Sequence, residues 1–300
     1  MRNSVSVVIP AYNAANYILA TLRAVQCQTF SNFEVIVIDD GSTDRTANIV
    51  QSFCDIDLRF RLIGRENGGV SAARNFGAAL GSCPIIAFMD SDDVWYPEFL
   101  ASAVDFLNSR SEVSVCFAGV RIVDQTGKPT GAFASCRVLK PTITDFLAGN
   151  PTTTCSNLVV RRNAFIESGG FRKGLNHAED QLWLIEMQLN GKIIAGIDKI
   201  LLDYRTNQAG LSADTKAMAA GWESMANFAS ELNPAIVLPH LPAARAANRL
   251  YLAQRAVRTR KDFKIALAHG FAATMSHWPT VFWECLRLLR KKSNTIIGRT

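Results

Sequence analysis

Short apolar runs alternate with segments of helical periodicity over the first 110 residues of the chain. Four of these runs predict buried strands, because each is bounded by proline, glycine or polar residues; they span 5–9, 35–38, 59–63 and 84–89. Between the first two, Ile18, Leu22 and Val25 recur at helical spacing. Strands that alternate with helices in this way predict an α/β fold, with a mostly parallel, Rossmann-like sheet between two layers of helices.

Local signals place the other early helices. Ser42 or Thr43 is expected to cap the helix after the second strand, with Asp44 in its first turn. A further helix is expected from Val70 to Leu80, because small and apolar residues mark one of its faces.

The pattern loosens beyond residue 110. We expect one or two strands over 113–123, a turn at 124–127, mostly loop over 128–153 with a short helix near 142–148, a strand over 155–160, a helix opening at 177–180, and apolar segments over 192–197 and 200–204. From about residue 213 the chain is predicted to be helical, with breaks at Pro234, Pro239 and Pro242. The sequence therefore divides into a body, residues 1–212, and a helical C-terminal region, residues 213–300.

Polar residues follow three of the predicted strands, at 10–12, 39–40 and 90–93. Ligands of open α/β sheets bind outside the carboxyl ends of the strands, so these residues are expected to converge on one crevice. The carboxylates of the acidic turn, residues 90–93, repel one another, and a divalent cation with oxygen ligands would relieve that repulsion. The alternative is a solvated turn before a helix that starts at Pro97.

A nucleoside diphosphate fits this crevice chemically. Its base can stack on Tyr12 and hydrogen-bond to an aspartate at the second strand tip, while a cation at the acidic turn neutralises the phosphates. Arg74, on the preceding helix, would add positive charge. The first strand is followed by neither a Gly-x-Gly-x-x-Gly motif nor a Walker Gly-Lys-Ser/Thr motif, so a dinucleotide cofactor is not expected.

Charge is distributed unevenly. The chain has 32 Lys and Arg against 26 Asp and Glu, and residues 241–300 hold 12 of the basic residues but only 2 of the acidic ones. A basic tail of this kind indicates an anionic partner, either lipid or nucleic acid.

The 7 cysteines are widely spaced, which predicts reduced thiols in the cytoplasm rather than zinc or disulfides. Neither a secretory signal nor an apolar run of about eighteen residues is evident in the sequence.

The tail carries a second pattern. From Pro279 a helix is predicted whose apolar residues form one stripe: Trp278, Val281, Phe282, Cys285, Leu286 and Leu289. Basic residues cluster at its carboxyl end: Arg287, Arg290, Lys291 and Lys292. This combination predicts a helix that lies in an anionic membrane interface. The alternative is packing on the body or on a second subunit.

Several motifs together resemble one family. They are Val-Ile-Pro-Ala-Tyr-Asn at 8–13, Gln-Thr-Phe at 28–30, Val-Ile-Asp-Asp-Gly-Ser-Thr-Asp at 37–44, Asn-Gly-Gly-Val-Ser-Ala-Ala-Arg-Asn-Phe-Gly at 67–77, Phe-Met-Asp-Ser-Asp-Asp at 88–93, Gly-Gly-Phe-Arg at 169–172, Glu-Asp at 179–180 and Tyr-Arg at 204–205. Through them the chain resembles a family-2 glycosyltransferase of the GT-A fold over residues 4–212. The motifs are specific for the family but carry no information about the substrate.

The resemblance implies an inverting transfer of sugar from a nucleotide-diphospho-sugar, UDP-sugar favoured, to a sugar or lipid-linked acceptor. Asp180 would be the catalytic base. Asp92 would bind Mg²⁺ or Mn²⁺ at the diphosphate. The nucleotide would contact Pro10, Tyr12, Asp39, Asp40, Arg74, Asp90 and Ser91. Donor or acceptor contacts are possible for Glu179, Trp183 and Arg205. The body would be the GT-A catalytic domain, with a nucleotide-binding half at 1–110 and an acceptor half at 111–212.

Two positions depart from the family pattern: Ala15 where Glu is frequent, and Asn207 where His is frequent. The competing functions are a catalytically inactive nucleotide-sugar-binding scaffold, a nucleotidyltransferase and a nucleic-acid binder. A nucleotidyltransferase should have a Gly-rich basic loop after the first strand, and the Tyr-Asn-Ala-Ala sequence at 12–15 is not one. A nucleic-acid binder is disfavoured because the tail lacks a recognisable nucleic-acid module. The favoured location is cytoplasmic, peripheral at the inner face of the cell membrane, where polysaccharide precursors on lipid would be accessible, with no nucleic acid partner.

Overall fold

The computed structural model of the protein describes residues 4–134, 139–175, 177–206, 214–260 and 263–297, with the backbone alone at 134, 258–260, 263 and 283–297. Within these residues nine strands form one sheet. They are β1 (Val5–Ala11), β2 (Phe33–Asp39), β3 (Phe60–Gly64), β4 (Ile85–Phe88), β5 (Val94–Trp95), β6 (Val113–Val123), β7 (Pro129–Ala134), β8 (Val159–Arg161) and β9 (Ile193–Arg205).

Helices occupy most of the remaining described chain. They are α1 (Ile18–Gln26), α2 (Thr46–Cys54), α3 (Val70–Leu80), α4 (Phe99–Ser109), α5 (Ile143–Ala148), α6 (Arg162–Glu167), α7 (Glu179–Leu189), α8 (Thr215–Leu232), α9 (Pro234–Val237), α10 (Leu241–Arg260) and α11 (Phe263–Ile297).

The strand order of the sheet is β3-β2-β1-β4-β8-β6-β9-β5, and β7 pairs with β6. The first four strands in this order are mutually parallel, which brings the carboxyl ends of β1, β2 and β4 to one edge. Strand β8 then runs antiparallel between β4 and β6. The sheet confirms the predicted α/β class and places the polar strand ends on the same side.

Alternate residues of the parallel strands enter two separate apolar layers. Val5, Val7 and Ile9 pack in the layer that contains α1, α2 and α4. Val8 and Ile36 point to the opposite side, towards α3 and α7. Because both faces are covered, these strands are apolar over most of their length rather than alternately polar.

The helical C-terminal region begins against the body. Trp222 of α8 is buried in the same apolar cluster as Trp183 of α7, and its Nε1 donates to the carbonyl oxygen of Leu147 at 3.0 Å. Helix α10 contacts α5 and α8, and α11 packs along α10. Helix α11 bends at His277 (φ −166°, ψ 90°), two residues before Pro279, whose ring cannot continue a straight helix. None of the helices in the described part of the chain has the length and apolarity needed to cross a membrane.

Helix α2 does not begin where its sequence signals predict. It starts at Thr46, and neither Ser42 nor Thr43 caps it. The hydroxyl of Ser42 instead accepts a hydrogen bond from the backbone N–H of Asn13 at 3.0 Å, while the Asp44 carboxylate accepts from the backbone N–H of Thr46 at 2.9 Å. The predicted capping residues therefore tie this loop to the end of β1.

Three strand predictions in the second half change. Residues 129–134, predicted as loop, form β7 because they find antiparallel partners along β6. The strand predicted over 155–160 is shorter, since Cys155–Asn157 form a 3-10 turn before β8. The two apolar segments at 192–197 and 200–204 join into β9, and irregularities of register absorb the residues between them.

Candidate active site

Asp40 joins the ends of β1 and β2 through its backbone and binds the loop before α3 through its carboxylate. Its backbone N–H donates to the carbonyl oxygen of Ala11 at 2.8 Å, and its side chain accepts from the N–H groups of Gly68 and Gly69 at 3.1 and 2.8 Å. The guanidinium of Arg65 lies 3.0 Å from the same carboxylate. Gly69 has φ 83°, a conformation that favours glycine, and it directly precedes α3. Asp40 thus fixes the loop from which α3 starts.

The neighbouring residues leave an accessible surface beside Asp40. Pro10 lies in β1 opposite Ile38, and the Asp39 carboxylate accepts from the N–H of Ser42 at 3.0 Å. Tyr12, the residue directly after β1, is 54% exposed. An exposed aromatic ring next to backbone polar groups can stack on a planar base.

The acidic turn follows β4 and is built from carboxylates with different environments. Asp93 is fully buried, and its carboxylate accepts from the Ser156 hydroxyl at 2.5 Å and from the N–H of Arg205 at 2.8 Å. Asp90 pairs with Arg74 at 2.6 Å and accepts from the Thr154 hydroxyl at 3.2 Å. Burial raises the pKa of Asp93 well above its ordinary value.

Asp92 has the least satisfied carboxylate of the turn. No other residue in the described ranges donates a hydrogen bond to its carboxylate, although Arg205 Nε donates to its backbone carbonyl at 2.9 Å. Burial, followed by repulsion from Asp90, raises the pKa of Asp92 to about 6. Ser91, between these two residues, is half-buried.

These carboxylates are suited to a divalent cation that is shared with a substrate. Among the described residues no three His, Cys, Asp or Glu side chains converge as a complete metal cage. Mg²⁺ is typically held by one or two carboxylates together with substrate phosphates and water, so a complete protein cage is not required. The Asp92 carboxylate, to which no other described residue donates, lies in the same turn as Asp90 and fits that arrangement, because a cation would offset the repulsion between them.

Helix α7 begins with two buried carboxylates. Glu179 pairs with Arg74 at 2.8 Å. The Asp180 carboxylate accepts from the Asn150 amide at 2.8 Å and from the N–H of Gln181 at 2.8 Å. Burial, followed by repulsion from Glu179, raises the pKa of Asp180 to about 6, although the charge of Arg74 acts in the opposite direction.

Arg74 joins the two carboxylate groups. It is buried on α3, with one guanidinium nitrogen on Asp90 and the other on Glu179. The ring of Phe171 lies 5.6 Å from its guanidinium carbon. A single side chain therefore holds the acidic turn next to the first residues of α7. Arginines on helices are commonly solvated, but Arg74 is buried.

Two predicted contact residues have other surroundings. Trp183 is fully buried, and its Nε1 donates to the Ser168 hydroxyl at 2.8 Å, so the ring belongs to the core and has no surface for a donor or acceptor. Arg205 holds the backbone of Asp92 and stacks over Tyr17 at 5.4 Å. Of the two departures from the family pattern, Ala15 donates its N–H to Asp44 at 3.1 Å, and Asn207 lies outside the described residues.

Sequence reasoning missed the contribution of residues 150–156. Asn150 contacts Asp180, while Thr154 and Ser156 contact the acidic turn. These are ordinary polar residues between two elements, and no sequence spacing marks them.

Comparisons with known proteins agree with this geometry. A family model described as "Glycosyl transferase family 2" matches residues 6–183. The putative teichuronic acid biosynthesis glycosyltransferase TuaG of Bacillus subtilis is 28% identical over 221 residues, which cover 73% of this chain and 85% of TuaG. An uncharacterized glycosyltransferase of Rickettsia felis is 32% identical over 206 residues, 67% of this chain, and the chain spans 33% of that relative's length.

Two solved structures share the fold. Residues 1–349 of S. aureus TarS, in complex with UDP-GlcNAc, superpose with a TM-score of 0.60 at 19% identity, covering 91% of this chain and 92% of that TarS fragment. The mannosyltransferase PcManGT of Pyrobaculum calidifontis, in complex with GDP-Man and Mn²⁺, superposes with a TM-score of 0.62 at 20% identity, covering 98% and 80%. Because the family model extends over more than half of the residues, the resemblance in the sequence motifs is confirmed, and the chain belongs to glycosyl transferase family 2.

Proposed function

We propose that the protein transfers a sugar from a nucleotide-diphospho-sugar to an acceptor hydroxyl, with inversion at the anomeric carbon. The observation that carries the proposal is the Arg74 bridge, which holds Asp90 and Glu179 on one guanidinium. It links the acidic turn, which contains Asp92, to the first turn of α7, which contains Asp180. Displacement at a sugar phosphate needs both a stabilised leaving group and a base for the attacking hydroxyl.

The donor would lie across the carboxyl ends of β1, β2 and β4. Its base would stack on Tyr12 beside Pro10, with Asp39 and Asp40 at the rim. Arg74 and the acidic turn, Asp90 and Ser91 included, would flank the ribose and diphosphate. We favour UDP as the nucleotide. The TarS and PcManGT complexes contain UDP-GlcNAc and GDP-Man respectively, which supports a nucleotide-sugar without deciding the base.

Asp92 would hold Mg²⁺ or Mn²⁺, and the Mn²⁺ in the PcManGT complex supports this proposal. When bound, the cation supplies Lewis-acid stabilisation of the diphosphate as it departs. The protein contributes a turn that is fixed by two contacts. Buried Asp93 accepts from the Ser156 hydroxyl, and Arg205 donates to the backbone carbonyl of Asp92. Asp92 is thereby oriented without any other donor in the described chain competing for its carboxylate.

Asp180 would take the proton of the acceptor hydroxyl at one of its carboxylate oxygens. A pKa raised to about 6 suits this task, because the group is ionised at neutral pH yet more basic than an ordinary aspartate. Glu179, held by Arg74, would keep the first turn of α7 in place rather than react. The acceptor hydroxyl would approach from the side formed by 111–212, the proposed acceptor half.

We propose that residues 1–212 form the catalytic domain and that residues 213–300 form a C-terminal region that packs against it. The acceptor would be a precursor of a cell-surface polysaccharide, and the printed name of TuaG, in teichuronic acid biosynthesis, supports this class. Such acceptors are frequently attached to lipid, so the protein would work at the inner face of the cell membrane.

The described surface of α11 supports contact with a membrane. Five large apolar side chains on either side of the bend at His277 are between 53% and 77% exposed: Leu267, Phe271, Met275, Trp278 and Phe282. The opposite positions His269 and Ala273 are buried on the side that packs along α10. Exposed aromatic and aliphatic residues within a strongly basic region match the composition of interfacial helices.

Vesicle co-sedimentation tests this contact with the full chain. The variant Phe271→Glu/Met275→Glu should lose binding to phosphatidylglycerol vesicles at low salt. A matched control, Leu58→Glu/Ile166→Glu, replaces two exposed apolar residues elsewhere and should bind as the natural chain does. Equal sedimentation of all three would contradict the proposal. A lower molecular mass for the Phe271 variant in analytical ultracentrifugation, without a change in vesicle binding, would instead indicate a second copy on this surface.

Donor turnover tests the reaction itself. The protein is incubated with UDP- and GDP-sugars and Mn²⁺, and nucleoside diphosphate release is followed together with the anomeric configuration of the released sugar by NMR. We expect slow release from one donor class, with an initial product anomer opposite to that of the donor. Retention of configuration would refute the single displacement. Binding without release, also in the presence of acceptor extracts, would favour the scaffold function.

A further inference from the structure

The chain between α5 and β8 contacts both carboxylate groups of the candidate site. Asn150 donates its Nδ2 to Asp180 Oδ2 at 2.8 Å. Four residues later, the Thr154 hydroxyl donates to Asp90 at 3.2 Å and to Asp93 at 3.4 Å. The proposed base and the acidic turn come from distant parts of the sequence, and this short segment touches both.

The side-chain amide of Asn150 cannot rotate freely, because its oxygen is also hydrogen-bonded. Its Oδ1 accepts from the backbone N–H of Thr152 at 3.1 Å and from the Thr152 hydroxyl at 2.7 Å. Thr152 is fully buried, and its carbonyl oxygen accepts from Asn157 at 3.0 Å. The two bonds to Oδ1 assign the nitrogen to the side facing Asp180. Asn150 is therefore held as a donor to that carboxylate.

The backbone here adopts an unusual conformation. Thr153 has φ 71°, which is rare for a β-branched residue, and the N–H of Thr154 donates to the carbonyl oxygen of Thr152 at 2.9 Å. A positive φ together with a bond between residues two apart is typical of the strained γ-turn. Strained conformations persist where surrounding contacts impose them, and they cluster at functional sites.

We propose that Asn150 is a positioning residue for Asp180, and that the 150–154 segment sets the separation between Asp180 and the acidic turn. This inference rests on the proposed function, in which Asp180 is the base. The bond to Asn150 favours the ionised carboxylate and fixes its orientation. It lowers the pKa of Asp180, against the burial of that carboxylate and the charge of Glu179, which raise it. Arg74 acts in the same direction as Asn150. The buried thiol of Cys155 also faces Asp180, whose charge contributes to the raised pKa of that thiol.

Asn150→Asp is the sharpest variant. It keeps an oxygen for the two bonds from Thr152, so the turn is preserved, but it replaces the donor to Asp180 with a second carboxylate. Asn150→Ala removes the donor without adding charge. A matched control, Thr152→Val, removes a bond to Asn150 but leaves the amide facing Asp180.

Aspartate Cγ NMR of the full chain measures the result without any substrate. The Asp180 resonance is assigned by its loss in Asp180→Asn. We expect its apparent pKa to rise by about one unit in Asn150→Ala, the equivalent of one lost hydrogen bond to a charged group, and by more in Asn150→Asp. Thr152→Val should leave it close to that of the natural chain.

Kinetics separates this inference from the proposed function. With the donor that the natural chain turns over, Asn150→Asp should lower kcat about tenfold or more at neutral pH, recover as pH rises, and leave KM for the donor unchanged. An unchanged pKa and pH profile in Asn150→Asp would overturn the positioning role alone. Full activity of Asp180→Asn would overturn the proposed base, and with it this inference.

Discussion

Replacing Arg74 with Met is expected to destabilise the protein more than the loss of an ordinary arginine. The guanidinium side chain is 4% exposed and pairs with Asp90 and Glu179 at 2.6 and 2.8 Å. Removal of one partner from a buried ion pair typically costs about 3–5 kcal/mol, because the remaining charge stays buried without compensation. Asp90 retains 26% exposure and can recover some hydration. We therefore expect a loss near the lower limit, about 3 kcal/mol.

The size of this loss is large relative to the stability of a typical domain, about 5–15 kcal/mol. Urea-induced unfolding measures it from the change in transition midpoint at constant slope. Arg61→Met is the matched control, since Arg61 makes a 2.9 Å pair with Glu34 at a surface where its own side chain is 47% exposed. That pair should contribute no more than about 1 kcal/mol.

A double variant tests the cause of the effect. In Arg74→Met/Glu179→Gln, one of the two carboxylates that lose their partner is neutralised as well. The loss of unfolding free energy in the double variant should therefore be smaller than the sum of the single losses by about 1 kcal/mol or more. Additive losses would mean that the pair with Glu179 does not contribute. An Arg74→Met variant as stable as Arg61→Met would refute the account of Arg74 as the bridge of the site.

The remaining predictions concern catalysis and packing. Asp180→Asn should lower turnover by about 10²–10⁴-fold with unchanged nucleotide affinity, measured by diphosphate release and calorimetry; turnover should also fall as pH drops through about 6, because the raised pKa leaves Asp180 protonated below that value. Asp92→Asn should lower turnover by about 10²-fold or more, as should chelation, and full activity in excess EDTA would exclude a required metal. Gly77→Ala should lose about 1–3 kcal/mol in urea unfolding, because the added Cβ overlaps Val8 and approaches Ile38 at 3.1 Å.

Sequence patterns were sufficient for the parallel half of the fold. Runs such as 35–38 within β2 are apolar, and the polar residues that follow them must lie at one edge once the strands are parallel, so the position of the candidate site followed. Strand β7 could not be predicted in this way. Its residues, rich in Gly, Pro and Thr, become a strand only because β6 offers free backbone groups, and that pairing is a long-range contact.

The site shows the same division. Motifs identified Asp92, Asp180 and Arg74 as candidates, but not the contacts among them. The burial of Arg74 between two carboxylates depends on the packing of α3 against α7 and the end of β4. Asn150 was missed because its partner, Asp180, is thirty residues away in sequence. Polar pairs of this kind leave no periodic pattern.

Thermal unfolding with added nucleotide-sugars is the most direct measurement of the central claim, that the crevice binds a nucleotide-diphospho-sugar through a cation at Asp92. The natural chain and Asp92→Asn are compared with UDP-GlcNAc and with GDP-Man, each with and without Mn²⁺. A ligand at about a hundred times its dissociation constant stabilises the native state by about 2.7 kcal/mol. We predict that one of the two nucleotide-sugars raises the melting temperature of the natural chain when Mn²⁺ is present, and that most of this rise is lost in Asp92→Asn. No rise with either nucleotide-sugar, or an equal rise in Asp92→Asn, would contradict the account.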